Sequence, residues 1–294
     1  MAEATINNDQ SSEKWTVEFS PESQVRHPIR LIKAICSDIW GGRSLAYRLF
    51  VRNLSGTYRQ SFLGFLWILV PTIGQAASWT FLARQDVVRS EGIPGGSYVA
   101  FIAIGSILWQ AFFDAVQAPL RLTLANQGLI TKLSFPREAL VLVAIGEVIF
   151  DFLIRFVAVT LVLTIVGFSW SPAMLYFPVF ALGLILVGTG IGLLITPIGI
   201  LYQDVGRTLT IIGPFWMLLT PVVYAAPASA AYQSWSWLNP PAAMLSAGRD
   251  LFVAGSTDMW MPALVWLAIA VPYLMLGLLW FRIAFRIFVE RMAN

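Results

Sequence analysis

The 294 residues are 57% hydrophobic and 12% charged, against about 25% charged in ordinary soluble domains, which argues against a soluble globular protein. The net charge of +3 sits on loop ends and forms no groove-reading patch, which argues against nucleic acid as a partner. One cysteine, Cys36, leaves no intrachain disulfide and no zinc site built on cysteine pairs; one histidine, His27, lies in a polar arm, so no metal site is expected.

Residues 1–42 read as a polar cytoplasmic arm without the apolar stretch of a cleavable signal. Residues 43–294 read as one membrane domain. It opens on an amphipathic helix in which Tyr47, Phe50, Val51, Leu54 and Tyr58 recur at helical spacing, with Arg48, Arg52 and Arg59 on a neighbouring face. Such a helix lies in the membrane interface, with rings in the acyl boundary and guanidiniums among phosphates. Leu45 and Leu49 fall off that stripe and are expected on the exposed cytoplasmic side.

Uncharged runs then give the spans. Gln60–Ala83 is long enough to cross a hydrocarbon core of about 30 Å, with Pro71 expected to kink it. Gly92–Phe113 extends to about Leu120 and carries Asp114; a polar segment, Arg121–Arg137, follows. The third span starts near Glu138 and carries Glu147, Asp151 and Arg155. The run Phe156–Gln203 is divided by the turn Ser169-Trp170-Ser171-Pro172. A fifth span ends near Tyr224, and Met259–Phe281 is the sixth. Between them Pro227–Gly255 holds too many turn residues for a crossing, and Asn239-Pro240-Pro241 leads into a short helix over Ala242–Phe252. A re-entrant extracytoplasmic gate fits, with Arg249 and Asp250 near its mouth; a loose loop is the plainer reading.

The expectation is an all-α polytopic protein with six transmembrane helices. Placing both termini in the cytoplasm puts 15 of 19 basic residues on that side and 3 opposite, with Arg155 intramembrane.

Five local patterns then coincide, in order. Tyr58-Arg59-Gln60-Ser61-Phe62-Leu63-Gly64, with Trp67 and Pro71, resembles the entry to the first span of ABC-2-type exporter permeases. Lys132-Leu133-Ser134-Phe135-Pro136-Arg137-Glu138 resembles the segment after their second span. Tyr202-Gln203-Asp204-Val205-Gly206-Arg207 resembles the loop after the fourth, and Thr220-Pro221-Val222-Val223-Tyr224 the end of the fifth. Leu238-Asn239-Pro240 with Arg249 resembles their extracytoplasmic element. The resemblance covers most of the chain from Arg48 to Arg249, and is nearest to the permeases that export O-antigen, capsular and teichoic-type polysaccharides.

It implies a homodimer with the pore between two copies in a bacterial inner membrane, surrounded by membrane lipids. It also implies two copies of a separate ATPase, which carry the ATP and Mg. The chain has no G-x-x-x-x-G-K-[ST] loop to cradle phosphates, so no cofactor is expected on it. The cargo would be a lipid-linked polysaccharide. Rival readings are a permease for a drug or small amphiphile, a membrane enzyme acting on lipid-linked sugars, and a secondary transporter.

Candidate ATPase-docking residues are Leu45, Leu49, Arg121, Asn126, Gln127, Gly128, Leu129, Ile130, Lys132 and Asp204, centred on a coupling helix in the Arg121–Arg137 loop. That loop is a mere connector on the plainer reading. Trp67, Trp109, Phe112, Phe113, Trp216 and Tyr224 are candidates for stacking on a sliding glycan, against a plainer role in the interfacial aromatic belt. Glu147, Asp151 and Arg155 share one face at i, i+4, i+8; a substrate site competes there with a neutralising Asp151–Arg155 pair. Asp114 reaches water or joins them. The Gly183–Gly199 stretch reads as close helix packing.

Overall fold

A computed structural model of the chain describes residues 28–58, 62, 64–85, 97–128, 138–227 and 229–292. Arg59, Leu129, Ile130 and Lys132, the side chain of Tyr58 and the arm before Pro28 lie outside the described residues. The described residues are all helical or irregular: α1 (Pro28–Tyr58), α2 (Val70–Arg84), α3 (Tyr98–Ala125), α4 (Glu138–Ile165), α5 (Phe177–Leu201), α6 (Asp204–Leu219), α7 (Ala230–Leu238), α8 (Pro240–Ala254) and α9 (Trp260–Met292). Single 3-10 turns precede α2 (Gly64–Ile68) and α5 (Pro172–Tyr176).

Local chemistry sets these boundaries. Ser97, Ser171 and Ser229 accept hydrogen bonds from backbone N–H groups at the starts of α3, the second 3-10 turn and α7. Gly167 takes φ +83° beyond the end of α4, and Phe168 N–H returns to Leu163 O at 3.0 Å. The turn expected at 169–172 therefore stands where the sequence placed it.

Among the described residues, four helices are long and apolar enough to cross a membrane: α3, α4, α5 with its leading turn, and α9 through Ala284. By contrast, α2 has 15 residues and α6 has 16, roughly 22–24 Å at 1.5 Å per residue. Pro71 does not kink a long helix. It stands in the first turn of α2, where the missing N–H costs no bond. In α3, the helix runs on to Ala125, so Leu122 is a buried helix residue and not the start of a connector.

The core is built around α5, which packs against α3 on one side and α9 on the other. Its glycines make this possible. A Cβ on Gly188 or Gly192 would run into the carbonyls of Phe112 or Val116 on α3, and one on Gly190 into Tyr273 on α9. Close approach lets dispersion act over a long contact where no water is available to drive association.

α1 lies against α4 and also touches α9. Ile35, Ala46 and Leu49 are buried, and Leu45 is half-buried against the same core. This corrects the expectation that Leu45 and Leu49 are exposed. A helix on a bundle buries one seam, and here that seam is the small and aliphatic line, joined by Phe50 from the aromatic stripe. The second apolar line, Trp40, Tyr47 (68% exposed) and Val51, is left open, with Arg43 over the Trp40 ring at 4.3 Å.

Gly192→Ala is expected to destabilise the protein by roughly 1–3 kcal/mol through overpacking. Gly74 has nothing within 4 Å of an added Cβ, so Gly74→Ala is expected to be neutral or slightly stabilising. Thermal unfolding in detergent, compared between the two variants, checks this.

Candidate functional site

At the end of the bundle that carries the C-termini of α3, α5 and α9, a polar network ties α1 to the core. Arg52 donates to Asn126 Oδ1 at 2.6 Å, and Asn53 donates to Glu147 Oε1 at 3.0 Å. Arg282 on α9 pairs with Asp38 on α1 at 2.8 Å and with Glu138 on α4 at 3.0 Å. Asn126 is buried and also donates to Leu122 O at 2.8 Å, closing the end of α3. Its amide is therefore committed inside the chain, not presented on an open loop. Gln127 is half-buried and Gly128 exposed beside it, and Asp204 is exposed in the first turn of α6, 3.6 Å from Arg207. Arg48 is exposed on α1, whereas Phe50 turns inward, edge-on to Phe150 at 6.1 Å and against Gly146.

The network continues as a seam between α3 and α4. Arg121 pairs with Glu147 at 3.1 Å, and Arg155 pairs with Asp114 at 2.7 Å while its Nε–H donates to Ile68 O at 3.2 Å. Glu147, Asp151 and Arg155 do share a face, and that face meets α3. The expected Asp151–Arg155 pair is not formed: the guanidinium reaches across to the neighbouring helix, because i, i+4 partners on one helix compete with a carboxylate better placed opposite. Asp151 lies between the two bridges, with no hydrogen bond or ion pair among the described residues. Arg155 also satisfies the carbonyl at the end of the 3-10 turn, tying the entry to α2 into the seam.

At the opposite end α6 stops and the chain turns irregular from Thr220 to Pro227. Pro221, Val222 and Val223 are buried there, so their carbonyls need protein donors. Arg249, 0% exposed, supplies them: one of its guanidinium NH2 groups donates to Pro221 O and, at 3.3 Å, to Val222 O. Its Nε–H donates to Asp250 at 3.0 Å, and its guanidinium carbon lies 3.6 Å from the centre of the Phe101 ring. Tyr98 on α3 donates to Val223 O at 3.3 Å. Gly105 makes the approach possible, because a Cβ there would strike the Val222 carbonyl. Arg249 and Asp250 are thus a buried internal hub and not an exposed pair. The hydrophilic character of an Arg-Asp pair suggested the surface; the loose carbonyls of the neighbouring segment claim it instead.

Asn239 joins the same region. It accepts from Trp216 Nε1–H at 3.1 Å and donates to Thr220 Oγ1 at 3.2 Å, while Pro240 opens α8 at its first position. The end of α6 is thereby fixed to the start of α8.

Four of the six aromatic candidates come together on α3 and α6. Trp109 stacks on Phe113 at 5.7 Å and meets Trp216 edge-on at 6.1 Å, and Phe112 meets Trp216 at 5.1 Å. Trp109 and Phe112 are buried, so Phe113 and Trp216 are the members with open surface. Trp67 stands apart, 55% exposed, and Tyr224 donates to Leu218 O at 2.9 Å. A second aromatic group was not foreseen. Phe156, Phe177 and Phe252 meet at 5.0–6.1 Å, and Trp170 packs edge-on to Phe252 at 5.7 Å. It anchors α8 to α4, α5 and the turn between them. Its signal in the sequence is the density of Phe and Trp around the 169–172 turn.

Comparison with known proteins now bears on this arrangement. Residues 45–253 match the ABC-2 type transporter family. An O-antigen export system permease protein RfbA of Klebsiella pneumoniae is 25% identical over 211 residues, covering 70% of this chain and 79% of that one. A second from the same organism is 26% identical over 208 residues, with 69% and 78% covered. One from Myxococcus xanthus is 24% identical over 229 residues, with 76% and 84% covered.

The Asp114–Arg155 pair yields a test. Arg155→Met leaves a carboxylate and a carbonyl without their donor and is expected to cost roughly 3 kcal/mol, the low end for a broken buried pair because Asp114 is partly open. The double variant Asp114→Leu/Arg155→Met is expected to recover a good part of this. Unfolding of the singles and the double in detergent, arranged as a mutant cycle, reads the coupling.

Proposed function

The chain belongs to the ABC-2 type transporter family, and from that premise we propose that it is the permease subunit of an exporter of a lipid-linked polysaccharide such as O-antigen. The match to O-antigen export permeases over most of both chains carries this reading. Two copies enclose the path in the inner membrane, and two copies of a separate ATPase supply the energy, with ATP and Mg held there.

Six crossings are assigned. To α3, α4, α5 and α9 we add the Gly64–Ile68 turn with α2, about 30 Å of combined rise, and α6 continued through its irregular end. Both termini are cytoplasmic, and α7 with α8 forms a re-entrant extracytoplasmic element. The supporting observation is that buried irregular backbone at 221–223 is served by Arg249 and Tyr98, the condition under which such backbone is tolerated within a bilayer.

The ATPase docks where α1, the end of α3 and the start of α6 converge. Arg121, Gln127, Gly128 and Asp204 border this surface, with Leu129, Ile130 and Lys132 following in the chain. Leu45 and Leu49, packed inside, transmit force and do not touch the partner. Asn126, held by Arg52, links α1 and α3 so that displacement of one moves the other. In the path, Phe113, Trp216 and Trp67 offer faces to sugar rings, which stack without locking hydrogen bonds.

Purification of the tagged full chain from gently solubilised membranes, in a strain holding its neighbouring genes, tests the assembly. The expected result is a co-purifying nucleotide-hydrolysing chain, retained about tenfold less well (~1.4 kcal/mol of interface energy) by Gly128→Trp and Lys132→Glu. A protein that arrives alone and hydrolyses nothing overturns the reading.

A further inference from the structure

A groove of about 440 Å³ runs between α2, α3 and α4, apart from the polar seam and the aromatic cluster. Its volume falls within the ~300–1,000 Å³ of ligand pockets. Ile73, Ala77 and Phe81 on α2, Ala103 on α3 and Val162 on α4 form its walls. The alanines leave width where larger side chains would close the helices together. Thr72, deeper in the same groove, is buried and already donates to Gln110 Oε1 at 3.0 Å, so the interior offers an apolar surface and little to bind a polar solute.

Two features say what fits. The groove is continuous with an apolar face of α4 on which Leu153, Val157, Leu161 and Val162 are all exposed, and α4 is one of the helices apolar enough to cross a membrane. Arg84, the last residue of α2, stands at the groove's rim, exposed and with no ion pair or hydrogen bond among the described residues. An apolar slot ending in a guanidinium that meets no carboxylate among the described residues matches a hydrocarbon chain ending in a phosphate, which Arg binds by paired N–H donors. Among the described residues, the groove lining includes no carboxylate to accept the cation of a choline or ethanolamine headgroup.

We propose that this groove holds one acyl chain of an anionic phospholipid, with its phosphate on Arg84. The site lies at the end of the bundle where α3 begins and α4 ends, which is the outer leaflet if the termini are cytoplasmic. It does not depend on which molecule is exported.

The test uses the full chain in nanodiscs of phosphatidylcholine doped with phosphatidylglycerol bearing a photoreactive acyl terminus, or with the matching phosphatidylcholine probe, followed by peptide mapping. Labelling of α2 and α4 by the phosphatidylglycerol probe is expected, several-fold above the phosphatidylcholine probe. Arg84→Gln, a change at an exposed residue, is expected to erase that preference, and Ala77→Trp to reduce labelling by both probes about tenfold. Equal labelling by the two probes in the unaltered protein overturns the proposal. So does labelling unmoved by either variant, or no labelling because a second copy of the chain covers the groove.

Discussion

A guanidinium withdrawn from water costs several kcal/mol unless its donors and charge are met within the fold, and Arg249 is withdrawn completely. What meets it is the broken end of α6. The helix stops at Leu219 ahead of Thr220-Pro221, and the carbonyls of Pro221 and Val222 are left without helical donors. Each side of this contact supplies what the other lacks. The cation satisfies backbone that could not otherwise be buried, and the carbonyls, Asp250 and the Phe101 face make a buried cation tolerable. The position of α8, the close approach at Gly105 and the Asn239 link to Trp216 all follow from keeping this contact closed.

Much of this is legible in the sequence. Ser, Gly and Pro at 167–172 and Asn239-Pro240 punctuate the chain whatever surrounds them, because they act on local backbone geometry. The Gly183–Gly199 stretch signalled close packing because a missing Cβ has few other uses within an apolar helix. The i, i+4, i+8 spacing put Glu147, Asp151 and Arg155 on one face. Periodicity gives an angle around a helix axis, however, and not the neighbour found at that angle. The sequence therefore could not tell that Arg155 answers Asp114 on α3, nor that α1 turns Leu45 and Leu49 inward and leaves Tyr47 out. The burial of Arg249 was likewise not legible, since two of the acceptors that allow it are the carbonyls of Pro221 and Val222, 28 and 27 positions away.

The two ends of the molecule meet on α3. Asp114, Arg121 and Asn126 on it bond to α4 and α1, while Tyr98, Phe101 and Gly105 hold the irregular segment and its arginine. Glycine-mediated contact with α5 leaves this helix no slack, so α3 moves as part of a rigid core or not at all. Other elements are held less closely by the core. Among these are α2, with Thr72 alone buried, and α6, with Gly213 and Met217 alone buried. Beside the Trp216 packing, a short polar ladder joins them to α3 and to each other: Thr72 to Gln110 at 3.0 Å, Gln110 to Gln75 at 3.4 Å, and Gln75 to the Met217 sulfur at 3.6 Å. The last two links are long and weak. The entry to α2 is held from the other side, by the Arg155 bond to Ile68 O on the turn that precedes it, so α2 is fixed to α4 at its start and to α3 and α6 by weaker bonds along its length.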